Sequence, residues 1–287
     1  MKLKEFFYLI GFKPKARKFG YEIIDFDFGL SQTIKYARWL HPADRNKKIE
    51  KAECDELTKF IKPGDAAIDI GAHSGDSSIP MAIAAGPDGT VFSFEPNPYV
   101  FPILEKNANL NTELTNIVPL NYAATQHYGE FECQYGDSGY CNGGIHEGIS
   151  KWKHGSAFKV NVKGVNVTDW IINNYPDRFP AIQFIKIDTE GHDLIVLKSL
   201  IKIIKSNKPY IKTEVNKHTP DTHRKEMFHL LNENGYSIHL VLSDDRLQGQ
   251  LLNENDIRIK NHFDIFCIPS KQRQHKLRGK ELPLTLE

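Results

Sequence analysis

AAIDIGAHSGDSS, residues 66–78, is the stretch on which the fold turns. Ala66 to Ile70 is a short apolar run, the pattern of a strand buried on both faces, and it ends at Gly71. Gly75 and a small, apolar segment from Ser77 to Ala85 follow, so the chain passes from the strand through a glycine turn into a closely packed helix. Gly71 permits a tight turn, and its missing side chain lets a ligand lie against the backbone. The carboxyl end of such a strand is where open α/β sheets bind ligands.

The spacing of this turn narrows the ligand. A dinucleotide site calls for three glycines as GxGxxG, with the pyrophosphate on a helix N-terminus. Here there are two, spaced DxGxxxG, with the carboxylates of Asp69 and Asp76 close by. Negative charge there repels phosphate and suits a ligand bearing an ammonium and a sulfonium. Thr90 to Phe94 forms the next strand and delivers Glu95, 20 residues beyond Gly75. A carboxylate in that place accepts hydrogen bonds from both hydroxyls of a ribose.

Outward from this segment the pattern alternates. Residues 52–62 form a helix stopped at Pro63-Gly64, Tyr99 to Leu110 another, and Ile117 to Leu120 a third strand. Ile182 to Ile187 is a strand, Asp193 to Ser206 a helix, Tyr210 to Glu214 a strand and Arg224 to Asn234 a helix closed by Gly235. Ser237 to Leu242 and Phe263 to Ile268 end the series as an antiparallel pair at one edge. The expected fold is α/β: a Rossmann-like, seven-stranded, mostly parallel sheet with helices on both faces and an antiparallel edge strand. Gly129 to Tyr135 and Phe158 to Val165 alternate as a β-hairpin excursion. The stretch between them, GDSGYCNGGIHEGISKWKHGS, is a loop suited to substrate contact, where Tyr140, His146, Lys151, Trp152, Lys153 and His154 offer aromatic and polar groups. The bland alternative is a mixed, solvated loop. Tyr21 to Phe28 alternates like a strand within an N-terminal accessory segment, residues 1–50. The main domain spans residues 51–270 with its insertion at about 129–165, and a basic tail covers residues 271–287.

Composition excludes several classes. Of 287 residues, 40% are hydrophobic and 25% charged, with a formal net charge of +1, which gives no pull towards nucleic acid or anionic lipid. No segment approaches the roughly 20 apolar residues of a membrane helix, and the basic start with its short patch Phe6 to Ile10 reads as an ordinary amphipathic segment, not a secretory leader, with contact to a membrane surface or partner as the alternative. Cytoplasmic residence is the expectation. Cys54, Cys133, Cys141 and Cys267 lack CxxC spacing, which argues against structural zinc and a disulfide framework. Cys133 and Cys141 could meet across the hairpin, though free thiols fit better. Asn166-Val167-Thr168 is a glycosylation sequon, without meaning in a protein that is not secreted.

From about residue 64 to 242 the chain resembles the FkbM-type methyltransferases, a branch of the Rossmann-like S-adenosylmethionine-dependent enzymes. The resemblance is carried by IDIGAHSGDSS (68–78), FSFEPNP (92–98), PLNYAAT (119–125) with GEF (129–131), and IKIDTEGHDLIVL (185–197). The family usually has Asn where this chain has His73, and Glu where it has Asp193. The resemblance implies S-adenosyl-L-methionine as cofactor, with Asp69, Gly71, His73 and Gly75 in the loop around its methionine moiety. It implies Glu95 on the ribose, Asn121 and Ala123 beside adenine, and Asp188 at the same site. It also implies O-methylation of a hydroxyl on a sugar, glycan or secondary metabolite. The expected partner is a small-molecule or saccharide acceptor, not nucleic acid.

The chemistry falls to the second half of the sheet. Asp188, Glu190 and His192 follow the fourth strand, and Glu214 with Asn216 follows the fifth, so all converge on the carboxyl edge. Methyl transfer needs the acceptor aligned and its proton removed, and Asp188, Glu190, His192 and Glu214 are the candidates, with His218 more remote. An imidazole is suited by type to proton transfer, but His192 could be a solvated loop residue, and Glu190 could serve only as an N-terminal charge on the next helix. Asp188, Glu214 and Asn216 could alternatively bind Mg²⁺, although no compact ligand motif requires it. Two rival readings are an NAD(P)-dependent oxidoreductase and a non-catalytic S-adenosylmethionine-binding scaffold. The missing third glycine and the IDxEG element oppose the first, and the intact Asp69 and Glu95 oppose the second.

Overall fold

The computed structural model describes residues 18–42, 44, 46–135, 158–259 and 261–270. The Gly-rich loop with Tyr140 to His154, Cys141, the apolar patch near the start and the basic tail all lie outside the described residues.

Seven strands form the central sheet: β3 (Ala66–Ile70), β4 (Thr90–Phe94), β5 (Ile117–Leu120), β9 (Ile182–Ile187), β10 (Tyr210–Val215), β11 (Tyr236–Leu240) and β12 (Phe263–Pro269), in the order β11-β12-β10-β9-β3-β4-β5. Every residue of β3 and β4 is buried, as their unbroken apolar runs require when helices cover both faces. The fold is therefore the expected mostly parallel α/β sheet. β12 is the antiparallel strand, and it is inserted between β10 and β11, so that β11 occupies the edge. A short helix, α8 (Glu254–Ile259), precedes it.

Two apolar clusters sandwich the sheet. One side gathers Ile68, Ile70, Phe92, Phe94, Ile185 and Ile187 with the helices α4 (Val167–Asn174), α5 (Asp193–Ser199), α6 (Ile201–Asn207) and α7 (Asp221–Glu233). The other gathers Ala67, Val91, Phe184 and Phe266 with α1 (Lys51–Leu57) and α2 (Ser78–Ala85). In α2 the sequence SIPMAIAA has small side chains that let the helix sit close on β3. The helix expected from Asp193 to Ser206 breaks at Leu200. There Thr168 Oγ1 donates to the Ser199 carbonyl at 3.0 Å, engaging an acceptor that a continuous helix would use.

Strand β1 (Tyr21–Phe26) pairs with β2 (Ile34–Trp39), which the sequence did not reveal. Asn107, on α3 (Phe101–Ala108), clamps β2: its Oδ1 accepts from the Ala37 amide at 2.7 Å and its Nδ2 donates to the Ala37 carbonyl at 3.0 Å. Asn111 grips Lys35 in the same manner. Ile34, Tyr36 and Trp39 are fully buried, so this N-terminal hairpin shares the core. The expected hairpin excursion is present as β7 (Gly129–Tyr135) with β8 (Phe158–Val165), joined by β6 (Ala123–Ala124). Asn166 N-caps α4 by accepting from the Asp169 amide at 3.1 Å, so the side chain of the sequon has a structural use. Cys54 and Cys267 are buried thiols. Among the described residues no helix is long and apolar enough to cross a membrane.

Candidate functional site

At the carboxyl ends of β3, β4 and β9 the backbone is stitched together, with the Gly71 and Ala72 amides on the Phe94 carbonyl and the Asp188 amide on the Ile70 carbonyl. Gly71, at φ +77°, lies so close to β9 that a Cβ there would stand 1.9 Å from the Asp188 carbonyl oxygen. Gly75, at φ +90°, packs on Leu104 and Asn107 of α3. His73 also has a left-handed backbone, φ 49°, a conformation that Asn and His adopt more readily than most residues. Above this turn opens a cavity of about 1010 Å³.

Gly71, His73, Glu95, Tyr122, Ala123 and Asp188 line one part of it. Glu95 is 6% exposed, and both carboxylate oxygens are fixed by backbone donors at 2.8 Å, Oε2 by the His73 amide and Oε1 by the Asn97 amide. Asn121 does not line the cavity; its Nδ2 donates to the Glu95 carbonyl at 2.8 Å and so secures the strand end. Tyr122 and Ala123, its neighbours, form the wall.

Asp69 does not itself line the cavity but lies behind two residues that do, Ser77 and Lys186. It is fully buried, accepts from Ser77 and Ser78 at 2.7 and 2.6 Å, and pairs with Lys186 at 3.4 Å. Its carboxylate thus organises the loop from within. Lys186 also reaches Asp188 at 3.5 Å. Burial works against its ammonium, but Asp69 and Asp188 outweigh this and hold its pKa above the ordinary lysine value. A second knot joins Lys47 to Asp76 at 2.9 Å and to Asp44 at 3.5 Å, while the Tyr36 hydroxyl meets Ser74 Oγ at 3.0 Å. Sequence reasoning missed both lysines. For Lys186 the signal was present, since a lysine inside the buried strand IQFIKI demands a buried partner.

The acidic candidates divide. Asp188, Glu190 and His192 line the cavity, whereas Glu214 and Asn216 do not. Asp188 and His192 are exposed, and Glu190 is half-buried. Glu190 sits at φ 52° ahead of Gly191, and Asn216 Nδ2 spans Glu190 at 3.3 Å and Glu214 at 3.2 Å. Burial, followed by the charge of Asp188, raises the pKa of Glu190 and pushes Glu214 up to about 8. Glu214 faces His262 at 3.4 Å. Among the described residues, no group of three or more His, Cys, Asp or Glu side chains is arranged to hold a metal ion, and Asn216 bonds Glu214 and Glu190 instead of joining Asp188. The Mg²⁺ alternative therefore finds no donor set there. His218 does not line the cavity; its amide donates to Asn216 Oδ1 at 2.9 Å.

The model of a family described as the methyltransferase FkbM domain matches residues 69–238. Methyltransferase sdnD of Sordaria araneosa is 28% identical over 175 residues, which cover 54% of this chain and 67% of that protein. A crystal structure of a methyltransferase FkbM from Methylobacillus flagellatus KT aligns at 16% identity and a TM-score of 0.42, covering 75% of this chain and 51% of that one. The present chain spans about half the length of that protein. Aeropyrum pernix fibrillarin with natively bound S-adenosyl-L-methionine aligns at 13% identity and a TM-score of 0.41, over 89% of this chain and 97% of its own.

Proposed function

Because the chain belongs to the FkbM methyltransferase family, we propose that it transfers a methyl group from S-adenosylmethionine to a hydroxyl oxygen of a sugar, glycan or secondary metabolite. The observation that carries this reading is Glu95, a buried carboxylate fixed by two backbone amides on the wall of a large cavity. Its oriented oxygens suit the two hydroxyls of a ribose, with Tyr122 and Ala123 beside the base. Asp188 and the Gly71 turn stand where a ligand with ammonium and sulfonium charge gains from nearby carboxylates. When bound, S-adenosylmethionine supplies a sulfonium methyl group for transfer to the acceptor oxygen, leaving S-adenosylhomocysteine.

Glu190 takes the acceptor's proton. It lines the cavity, Asn216 orients it, and its raised pKa makes it a stronger base than an ordinary carboxylate. Its left-handed backbone is the kind of strain that persists where surrounding structure imposes it. Asp188 remains paired with Lys186, and His192 stands exposed at the rim. Calorimetry tests the assignment: S-adenosylhomocysteine is expected to bind with a Kd of about 1 μM, near −8 kcal/mol. Binding of NADH with no heat from S-adenosylhomocysteine would overturn it.

A further inference from the structure

We propose that the lobe of the cavity between α1 and the 244–247 loop is the acceptor subsite, and that it selects a hydroxylated molecule without anionic groups, held by Glu53. The inference rests on the proposed cofactor reading, which fills the Gly71–Glu95 end and leaves this lobe for the acceptor.

The lobe has an apolar lining of Leu57, Met81, Phe184 and Leu247. Its other charged groups are engaged, and three of its lysines face two carboxylates each. Lys212 binds Asp244 at 2.6 Å and Asp264 at 3.5 Å, Lys186 binds Asp69 and Asp188, and Lys47 binds Asp76 and Asp44. Lys48 pairs with Glu50 at 2.7 Å. Glu53 is the exception: it lines the lobe and takes no hydrogen-bond or ion-pair partner among the described residues. Its position is fixed, because α1 buries Cys54, Glu56 and Leu57, and Glu56 accepts the Leu247 amide at 3.1 Å.

A phosphate or carboxylate entering this lobe would lose its hydration and find every cation already matched, which is costly. A neutral polyol gives up far less hydration than such an anion and can lay its carbon skeleton on the apolar lining. Burial, then Asp244 and Asp76, push Glu53 up to about 8, so near neutral pH it enters as a carboxylic acid. A carboxylic acid both donates to and accepts from a hydroxyl, which is the pairing an alcohol acceptor requires.

The test uses the full-length protein saturated with S-adenosylhomocysteine and a panel of uncharged glycosides and polyols. Each is matched to its carboxylate and phosphate analogue, and binding is followed by ligand-observed NMR. Uncharged members are expected to bind, with their anionic analogues weaker by about tenfold or more. Glu53→Gln, which keeps both a donor and an acceptor, is expected to bind within about threefold of wild type, and Glu53→Ala to lose about tenfold. Affinity for S-adenosylhomocysteine should be unchanged in both variants, which also reports that they fold. Binding by no uncharged member, equal or tighter binding of an anionic analogue, or an Ala variant as good as wild type would overturn the proposal. Failure of wild type to bind S-adenosylhomocysteine would instead overturn the cofactor reading.

Discussion

Both oxygens of Glu95 accept backbone amides, and this changes what its substitution is expected to do. Alanine would strand two donors at a buried strand end, at about 1–3 kcal/mol each, so fold and ligand binding would fail together. Glu95→Gln retains one acceptor oxygen and loses the charge. It is expected to weaken S-adenosylhomocysteine binding about tenfold or more, with a smaller fall in Tm. An unchanged Kd by calorimetry would place the ribose elsewhere. Asp193 supplies a prediction about pH. Burial first, then Asp188, push it up from 3.8 to about 7, while Gly191 and Thr213 hydrogen-bond it. A carboxyl whose folded pKa is raised contributes stability that is complete below 3.8 and lost as the pH rises through about 7. Asp193→Asn should therefore lose part of the fall in stability expected of wild type between about pH 4 and 7. Urea midpoints at both ends of that range decide it, and parallel slopes for the two proteins would count against the assignment.

Among elements, the pairing of β2 with α3 carries more than its length suggests. Asn107 bonds Ala37 twice and donates to the Ser74 carbonyl at 2.7 Å, so one side chain joins the hairpin, the helix and the glycine turn. Asn107→Ala removes three buried hydrogen bonds and is expected to cost about 3 kcal/mol. The urea midpoint should fall with the m value unchanged, because the surface exposed on unfolding stays the same. The variant should also bind S-adenosylhomocysteine less tightly, since the turn from Ala72 to Gly75 loses its brace. Stability lost with affinity fully retained would show that Asn107 supports the hairpin alone.

For the whole molecule, the consequence is that the N-terminal hairpin and the central sheet open as one unit. Tyr36, Asp44 and Lys47 all lie against the 73–76 turn, and Trp39 stacks on His41 within the same buried group. Ligand bound only by the native state adds stability of about 2.7 kcal/mol at a hundred times Kd. Amides of β2 and β3 are therefore expected to slow together in hydrogen exchange when S-adenosylhomocysteine is added. Protection gained by β3 while β2 exchanges as before would separate the hairpin from the domain.

What the sequence determined by itself was local. Apolar runs such as Ile68 to Ile70 and Val91 to Phe94 define strands buried on both faces, and glycines at 71 and 75 permit the turn, because burial and backbone freedom are properties of a few consecutive residues. The order of elements followed from the same alternation, as did the position of Glu95 at a strand end. Tertiary structure decided the rest. β2 is a core strand because Asn107, 70 residues away, grips it, and no pattern in IKYARW announces that partner. The insertion of β12 depends on which strand edges meet, a choice that hydrophobic periodicity does not encode. Asp69 is covered by two serines and a lysine, because the parity of its strand position turns it towards α2. Glu53 and Leu247 line one cavity because folding brings α1 against a loop 191 residues downstream of Glu56, which accepts the Leu247 amide. Charges in an interior persist where partners lie within a few ångströms, and that distance exists only after the chain has folded.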